Sequence, residues 1–246
     1  MRDFITCLEF LTRVRFSKRT DWRDEDFSRS VPYFPLVGLV IGSLLAAVNY
    51  GLFYIETPLF LRVTLLLLAE IIITGGLMYD GFMDTADGVF SARSRERMLE
   101  IMKDSHVGSN AVLAIIILLL LKIAAYLELS GETLTWVLLT MSVATRTFMV
   151  VFIVNFPYAR RKEGIGHMFT KYAKPFYTYI AFAVCAGIIA ACGLQYLAVA
   201  GICFTVTLII AQYLKTQLGG LTGDTYGALT ECGNVIYLLT AVFLLR

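Results

Sequence analysis

Seven stretches of about twenty mainly apolar residues dominate the chain, and each is long enough to cross the hydrocarbon core of a bilayer as a helix. They fall at 31–55, 58–79, 107–127, 134–156, 175–193, 194–214 and 228–245. Glu231 and Asn234 interrupt the start of the last. The 246 residues are 58% hydrophobic and 16% charged, with a mean hydropathy of +0.72. A water-soluble domain of that make-up would expose far more apolar surface than such domains carry. Backbone polar groups in lipid must be satisfied within the segment, and no alternating strand pattern is present. The expected fold is therefore all-α: a polytopic integral membrane helix bundle of about seven transmembrane helices, six to eight being possible, in a single domain 1–246. Gly38 and Gly42 in the first stretch form a small-xxx-small pair suited to close helix packing.

Basic residues predict the topology. Arg2, Arg13, Arg15, Lys18, Arg19, Arg23 and Arg29 precede the first span. Arg93, Arg95, Arg97 and Lys103 lie between the second and third, and Arg160, Arg161, Lys162, Lys171 and Lys174 between the fourth and fifth. Lys215 opens the last connection, and the intervening connections carry at most Arg62. This alternation predicts a cytoplasmic N-terminus in an inner (cytoplasmic) membrane. The start, 1–30, reads as a cytoplasmic amphipathic segment rather than a signal peptide. Two polar, Gly-rich segments, 80–107 and 215–230, are expected on the same face. A net charge of +2 gives no basis for a nucleic-acid ligand. The five cysteines lack metal-ligand spacing and read as small buried thiols.

Charges inside the spans are expensive. Lys122 is expected to snorkel from the outer end of its helix. Glu70 and Arg146 lie at similar depth and are expected to face each other, or Arg146 to point toward a phosphate-bearing ligand. His106 and His167 are isolated and read as surface or supporting groups.

The densest chemistry is Tyr79-Asp80-Gly81-Phe82-Met83-Asp84-Thr85-Ala86-Asp87-Gly88. Asp80, Asp84 and Asp87 at i, i+4 and i+7 share a helical face within about 60°, their Cβ atoms roughly 5–6 Å apart. Like charges so close oppose folding unless they take up protons or cations sit among them. Oxygen ligands of this kind suit Mg²⁺, Mn²⁺ or Ca²⁺ better than zinc. After a basic amphipathic stretch, Met98, Leu99, Ile101 and Met102 predict a short helix lying on the bundle and returning Asp104 to the other carboxylates. One or two ions held by Asp80, Asp84, Asp87 and Asp104 could grip a pyrophosphate. The second segment, Gly219-Gly220-Leu221-Thr222-Gly223-Asp224-Thr225-Tyr226-Gly227, lacks the lysine of a P-loop. Its backbone, Thr222 and Asp224 could instead meet phosphate, a metal or a ribose hydroxyl. A plain turn between helices fits that segment nearly as well.

The run Asp80-Gly81-x-x-Asp84-Thr85-x-Asp87-Gly88, continued by Val89-Phe90-Ser91-Ala92-Arg93-Ser94-Arg95 and by Met98 to Asp104, resembles the signature of the adenosylcobinamide-GDP ribazoletransferases, the cobalamin synthases. The likeness extends through Phe10-Leu11-Thr12-Arg13, Phe34-Pro35-Leu36-Val37-Gly38, Arg146, Tyr158-Ala159-Arg160, Glu163-Gly164 and Gly219 to Asp224. The family often has His two residues before the first Asp; this chain has Met78, so a catalytic role for that His does not carry over. The resemblance implies a Mg²⁺-dependent membrane enzyme, with one or two ions and Mn²⁺ as a substitute. It would join adenosylcobinamide-GDP to the 5′-hydroxyl of α-ribazole, or to α-ribazole 5′-phosphate, and release GMP. Asp80, Asp84, Asp87 and Asp104 would hold the metal, and one of them would take the hydroxyl proton. Arg13, Arg93, Arg146 and Arg160 would neutralise phosphate. The implied partners are the lipid bilayer, other corrinoid-assembly enzymes and further copies of the chain.

Two other readings compete. A CDP-alcohol phosphatidyltransferase shares the Asp84-x-x-Asp87-Gly88 start, but its Gly-x-x-x-Asp-x-x-x-Asp continuation is missing. A divalent-cation transporter would spread carboxylates through the membrane, whereas only Glu70 lies deep.

Overall fold

The computed structural model describes residues 2–15, 23–129, 131–160 and 165–245. Lys18, Arg19, Arg161, Lys162, Glu163 and Gly164 lie outside the described residues. Among the described residues, twelve α-helices follow one another: α1 (Arg2–Leu11), α2 (Asp24–Ser30), α3 (Phe34–Tyr54), α4 (Leu59–Thr74), α5 (Leu77–Phe90), α6 (Arg95–Ile101), α7 (Ser109–Glu128), α8 (Gly131–Asn155), α9 (Ile165–Thr170), α10 (Phe176–Cys192), α11 (Leu194–Leu218) and α12 (Gly223–Leu245). Five runs are long and apolar enough to cross a membrane: Asp24–Tyr54, α7, α8, α11 and α12. The bent pair α4–α5 makes a sixth. The apolar α10, about 26 Å long at 1.5 Å per residue, brings the total to the expected seven.

The central helix is α8, buried at every residue from 141 to 153 and packed by α3, α10, α11 and α12. The glycine pair of α3 makes the approach to α8 possible. A Cβ on Gly42 would stand 2.7 Å from the Leu139 Cα, and one on Gly38 would meet the Ser142 carbonyl. The outer helices turn Leu113, Ile116, Ile117 and Leu120 of α7 and Ile202 and Ile209 of α11 outward, as a lipid-facing surface requires. At the N-terminus, α1 buries Cys7, Leu8 and Leu11, and Arg2 and Arg29 both donate to Asp26 at the start of α2 (3.1 and 3.2 Å).

Three sequence expectations change here. The stretch 58–79 is not one helix. Gly75 and Gly76 both take left-handed backbone angles (φ +67° and +72°), and α4 and α5 meet there at 93°. A side chain at either position would be strained. Tyr79 and Asp80 therefore belong to a second helix that packs along α7 and α12. The second Gly-rich segment is a short turn, because α12 begins at Gly223 and runs unbroken through Glu231 and Asn234.

The third change concerns the buried charges. Lys122 does not snorkel. It is fully buried, with its Nζ 2.8 Å from both Glu70 Oε1 and Glu231 Oε2 and 2.7 Å from the Tyr79 hydroxyl. Glu70 thus pairs with Lys122 rather than Arg146. Arg146, also buried, donates to Thr145 Oγ1 (3.1 Å), which itself donates to Asn234 Oδ1 (3.0 Å). Two carboxylates and two cations make the cluster neutral as a set. That balance is what allows four ionisable groups to remain inside the bundle.

Candidate active site

One end of the bundle is shaped by the crossing of α5 and α12, where glycines let the two backbones touch. A Cβ on Gly81 would lie 2.7 Å from the Asp224 carbonyl oxygen, and one on Gly227 would lie 3.0 Å from that of Met78. Asp80 and Asp84 on α5 are thereby brought beside Asp224 in the first turn of α12. Opposite them, the chain leaving α8 pairs with the turn before α12. Ala159 N donates to the Leu221 carbonyl, and Leu221 N to that of Pro157, both at 2.8 Å. This short ladder delivers Arg160, whose Nη2 donates to Asp224 Oδ2 at 2.7 Å.

Asp80 is exposed and Asp84 half-buried. Neither carboxylate has a hydrogen-bond or ion-pair partner among the described residues. The charged groups acting on Asp84 are Asp80, Asp224, Arg160 and Asp87. Around Asp84 itself, three carboxylates thus stand against one guanidinium, while Arg13 and Arg15 line the cleft beside Asp80. As the side chains stand, no three His, Cys, Asp or Glu among the described residues are grouped closely enough to hold an ion, since Asp224 is turned to Arg160.

Other residues singled out in the sequence go elsewhere. Asp87 accepts from the Gly108 and Ala111 amides (2.6 and 2.9 Å), satisfying free N–H groups at the start of α7. The short helix α6 does lie on the bundle, its Met98 and Met102 against Gly88, but it does not return Asp104 to the others. Asp104 is exposed and 2.6 Å from the His106 ring. That hydrogen bond holds the Asp104 carboxyl below its usual range and raises the imidazole. Thr222 is buried as a helix cap, its Oγ1 accepting from Thr225 N (3.2 Å) while Thr225 Oγ1 accepts from Thr222 N (2.7 Å). Arg146 sits one turn deeper in the bundle than Met149, and Arg93 is exposed on the turn after α5. Arg13 lies over Gly75 and reaches the mouth.

Two cavities meet at Asp80, Phe10 and Leu77. The first, about 210 Å³, runs inward between α5, α8 and α12, with Arg160 and Asp224 at its rim and Phe34, Met78, Met149 and Phe169 within. The second is an open cleft of about 650 Å³ lined by Arg13, Arg15, Thr74 and Tyr79. Arg160 also borders a third hollow containing Arg95 and Lys103. Arg15 enters the sequence reading only as a topological charge, Arg95 as that and as a member of a longer motif, and Tyr158 and Tyr226 only as members of longer motifs without a role of their own. The aromatic inside Gly223-Asp224-Thr225-Tyr226-Gly227 was the available signal for Tyr226. Only the fold shows Arg95 packed over Gly219.

Together these features define a multi-pass membrane protein whose polar chemistry is concentrated at one mouth of the bundle. The profile of the Cobalamin-5-phosphate synthase family matches residues 3–242, and the chain belongs to that family. It is similar to the adenosylcobinamide-GDP ribazoletransferase of Clostridium novyi, at 35% identity over 97% of this chain and 96% of the relative. The enzyme of that name from Desulforamulus reducens is 41% identical over 91% and 89%, and that from Escherichia coli 37% over 96% and 97%. No solved structure matches the chain. Family membership displaces both the phosphatidyltransferase and the transporter readings.

Proposed function

We infer that the Asp80–Arg160–Asp224 mouth is where this chain performs the last joining step of cobalamin assembly. Adenosylcobinamide phosphate passes from adenosylcobinamide-GDP to α-ribazole, and GMP leaves. The observation that carries the placement is the meeting of two unpartnered carboxylates, Asp80 and Asp84, with the Arg160–Asp224 pair where two cavities join. A hydroxyl oxygen forms the new bond to the phosphorus next to the cobinamide. The bond from that phosphorus to GMP breaks, and GMP takes the electron pair. An acceptor already carrying a 5′-phosphate cannot attack through its 5′ oxygen. A single mechanism for both forms therefore uses a ring hydroxyl of the ribose, in place of the 5′-hydroxyl expected from the sequence.

Asp80 lines both cavities and is the carboxylate placed to accept the hydroxyl proton. Arg160, with Arg13 and Arg15 from the open cleft, meets phosphate oxygens as their charge grows. Asp80, Asp84 and Asp224 would hold Mg²⁺, in place of the four-carboxylate set read from the sequence, and the ion would neutralise pyrophosphate charge. Arg160, which donates to Asp224, faces the phosphates. The corrinoid, too large for the inner cavity, occupies the open cleft. The mouth and the N-terminus face the cytoplasmic side of the inner membrane, a reading supported by the basic residues around them.

The test is GMP release from adenosylcobinamide-GDP and α-ribazole by the purified protein in lipid vesicles, with Mg²⁺ or with a chelator. Release that needs both substrates and the metal is expected. No release with Mg²⁺ present overturns the reading, and release unaffected by chelation removes the metal from it.

A further inference from the structure

The inner cavity is better built than a phosphate site requires. Its walls are aromatic and aliphatic, with Phe169 tilted or edge-on to Phe10 and Phe34 at centroid distances of 4.8 and 5.6 Å. Met78, Met149 and Ile153 complete them. Two phenols, Tyr158 and Tyr226, are among the lining residues. Tyr226 is 4% exposed, and its buried hydroxyl has no hydrogen-bond partner. A buried unpartnered hydroxyl is costly, so its presence beside a cavity calls for a ligand acceptor atom. Nearer the rim, the Arg160 Nε is likewise buried without a partner.

We propose that this cavity receives the heteroaromatic base of the acceptor nucleoside, a bicyclic and largely apolar benzimidazole, with the Tyr226 hydroxyl donating to its free ring nitrogen. The proposal rests on the function inferred above and says which substrate part enters which cavity. Three considerations select this occupant. The guanine of the donor carries several donors and acceptors on its edge, which apolar walls would leave unpaired. A corrinoid does not fit within about 210 Å³. A lipid chain would leave the Tyr226 hydroxyl as unsatisfied as before. With the base seated inward, its ribose lies at the rim beside Asp80, Arg160 and Asp224, where the attacking hydroxyl is needed.

The discriminating variant is Tyr226→Phe, assayed by equilibrium binding of the benzimidazole riboside alone and by steady-state kinetics in both substrates. Acceptor affinity is expected to fall about tenfold, as for one lost hydrogen bond. The KM for adenosylcobinamide-GDP should stay within twofold, and the Tm should not fall, because an orphaned hydroxyl has been removed. The matching indole riboside, which lacks the acceptor nitrogen, should bind wild type and Tyr226→Phe equally. Ile153→Phe, which fills the cavity, should weaken both ribosides. Unchanged acceptor binding in Tyr226→Phe, or a loss confined to the donor KM, overturns the proposal. Absence of GMP release by the wild type would instead overturn the assigned function, since riboside binding is read without turnover.

Discussion

The bundle contains two charge clusters built from neighbouring helices, and they are arranged on opposite terms. The inner one, Glu70, Lys122, Arg146 and Glu231, balances two negative groups with two positive ones, and Lys122 donates to Glu70, Glu231 and the adjoining Tyr79 hydroxyl. The one at the mouth sets Asp80, Asp84 and Asp224 against Arg160 and leaves two carboxylates without a partner. Burial holds the first to overall neutrality, although the Arg146 Nε is left without a partner among the described residues. Access to water permits the second to stay open, with Asp80 and Asp84 unpaired beside the arginines of the cleft. With the function proposed above, the charges of this bundle separate into groups that hold the structure and groups that meet substrate.

The contrast fails if the inner cluster proves dispensable. Lys122→Met strands two buried carboxylates and is expected to cost about 3–5 kcal/mol, read as loss of folded protein in a thermal melt. Adding Glu70→Gln to that variant should restore much of the loss, because Glu231 and Arg146 then remain as a balanced pair. Asp84→Asn should behave in the opposite way. It relieves repulsion at the mouth, so the Tm should hold or rise while GMP release falls by about 10²–10³-fold. A variant that loses stability and keeps turnover would place Asp84 with the structural group. Thr222→Ala should cost about 1 kcal/mol through the lost cap of α12 while leaving both KM values in place; a selective rise in one would return Thr222 to substrate binding.

The smallest effect concerns the exposed Asp104–His106 pair, outside both clusters. The depressed carboxyl keeps the contact above its own titration, and the raised imidazole keeps it below the imidazole's. Raising the pH through the His106 value, or lowering it through that of Asp104, releases the contact. In NMR titrations His106→Ala should return Asp104 toward the ordinary carboxylate range, with turnover unchanged. A marked loss of turnover would restore Asp104 to the active site.

Much of this was legible in the chain itself. Hydropathy carried the helical membrane fold because lipid imposes one rule on every span. The Asp80-to-Asp87 run marked the mouth. What it did not carry was the division of labour within that run, since Asp84 and Asp87 look alike until α7 arrives and turns its free amides toward one of them. Lys122 misled for a related reason. Distance from a helix end suggested escape to the interface, but Glu70 and Glu231, far away in sequence, offered a better environment inside. Asp224 was visible as a motif, yet its place beside Asp80 depends on the break at Gly75–Gly76, which no periodicity announces.

The contact of Gly81 with the Asp224 backbone also sets a dimension. Where two helices meet through side chains, their spacing can relax by rotamer changes. Where main chain rests on main chain, the gap is fixed by atomic radii, much as a machined shoulder fixes the seating of a part. The separation of the Asp80 and Asp224 carriers is therefore a property of the polypeptide itself, and a single added methyl at position 81 would act as a shim under the whole mouth.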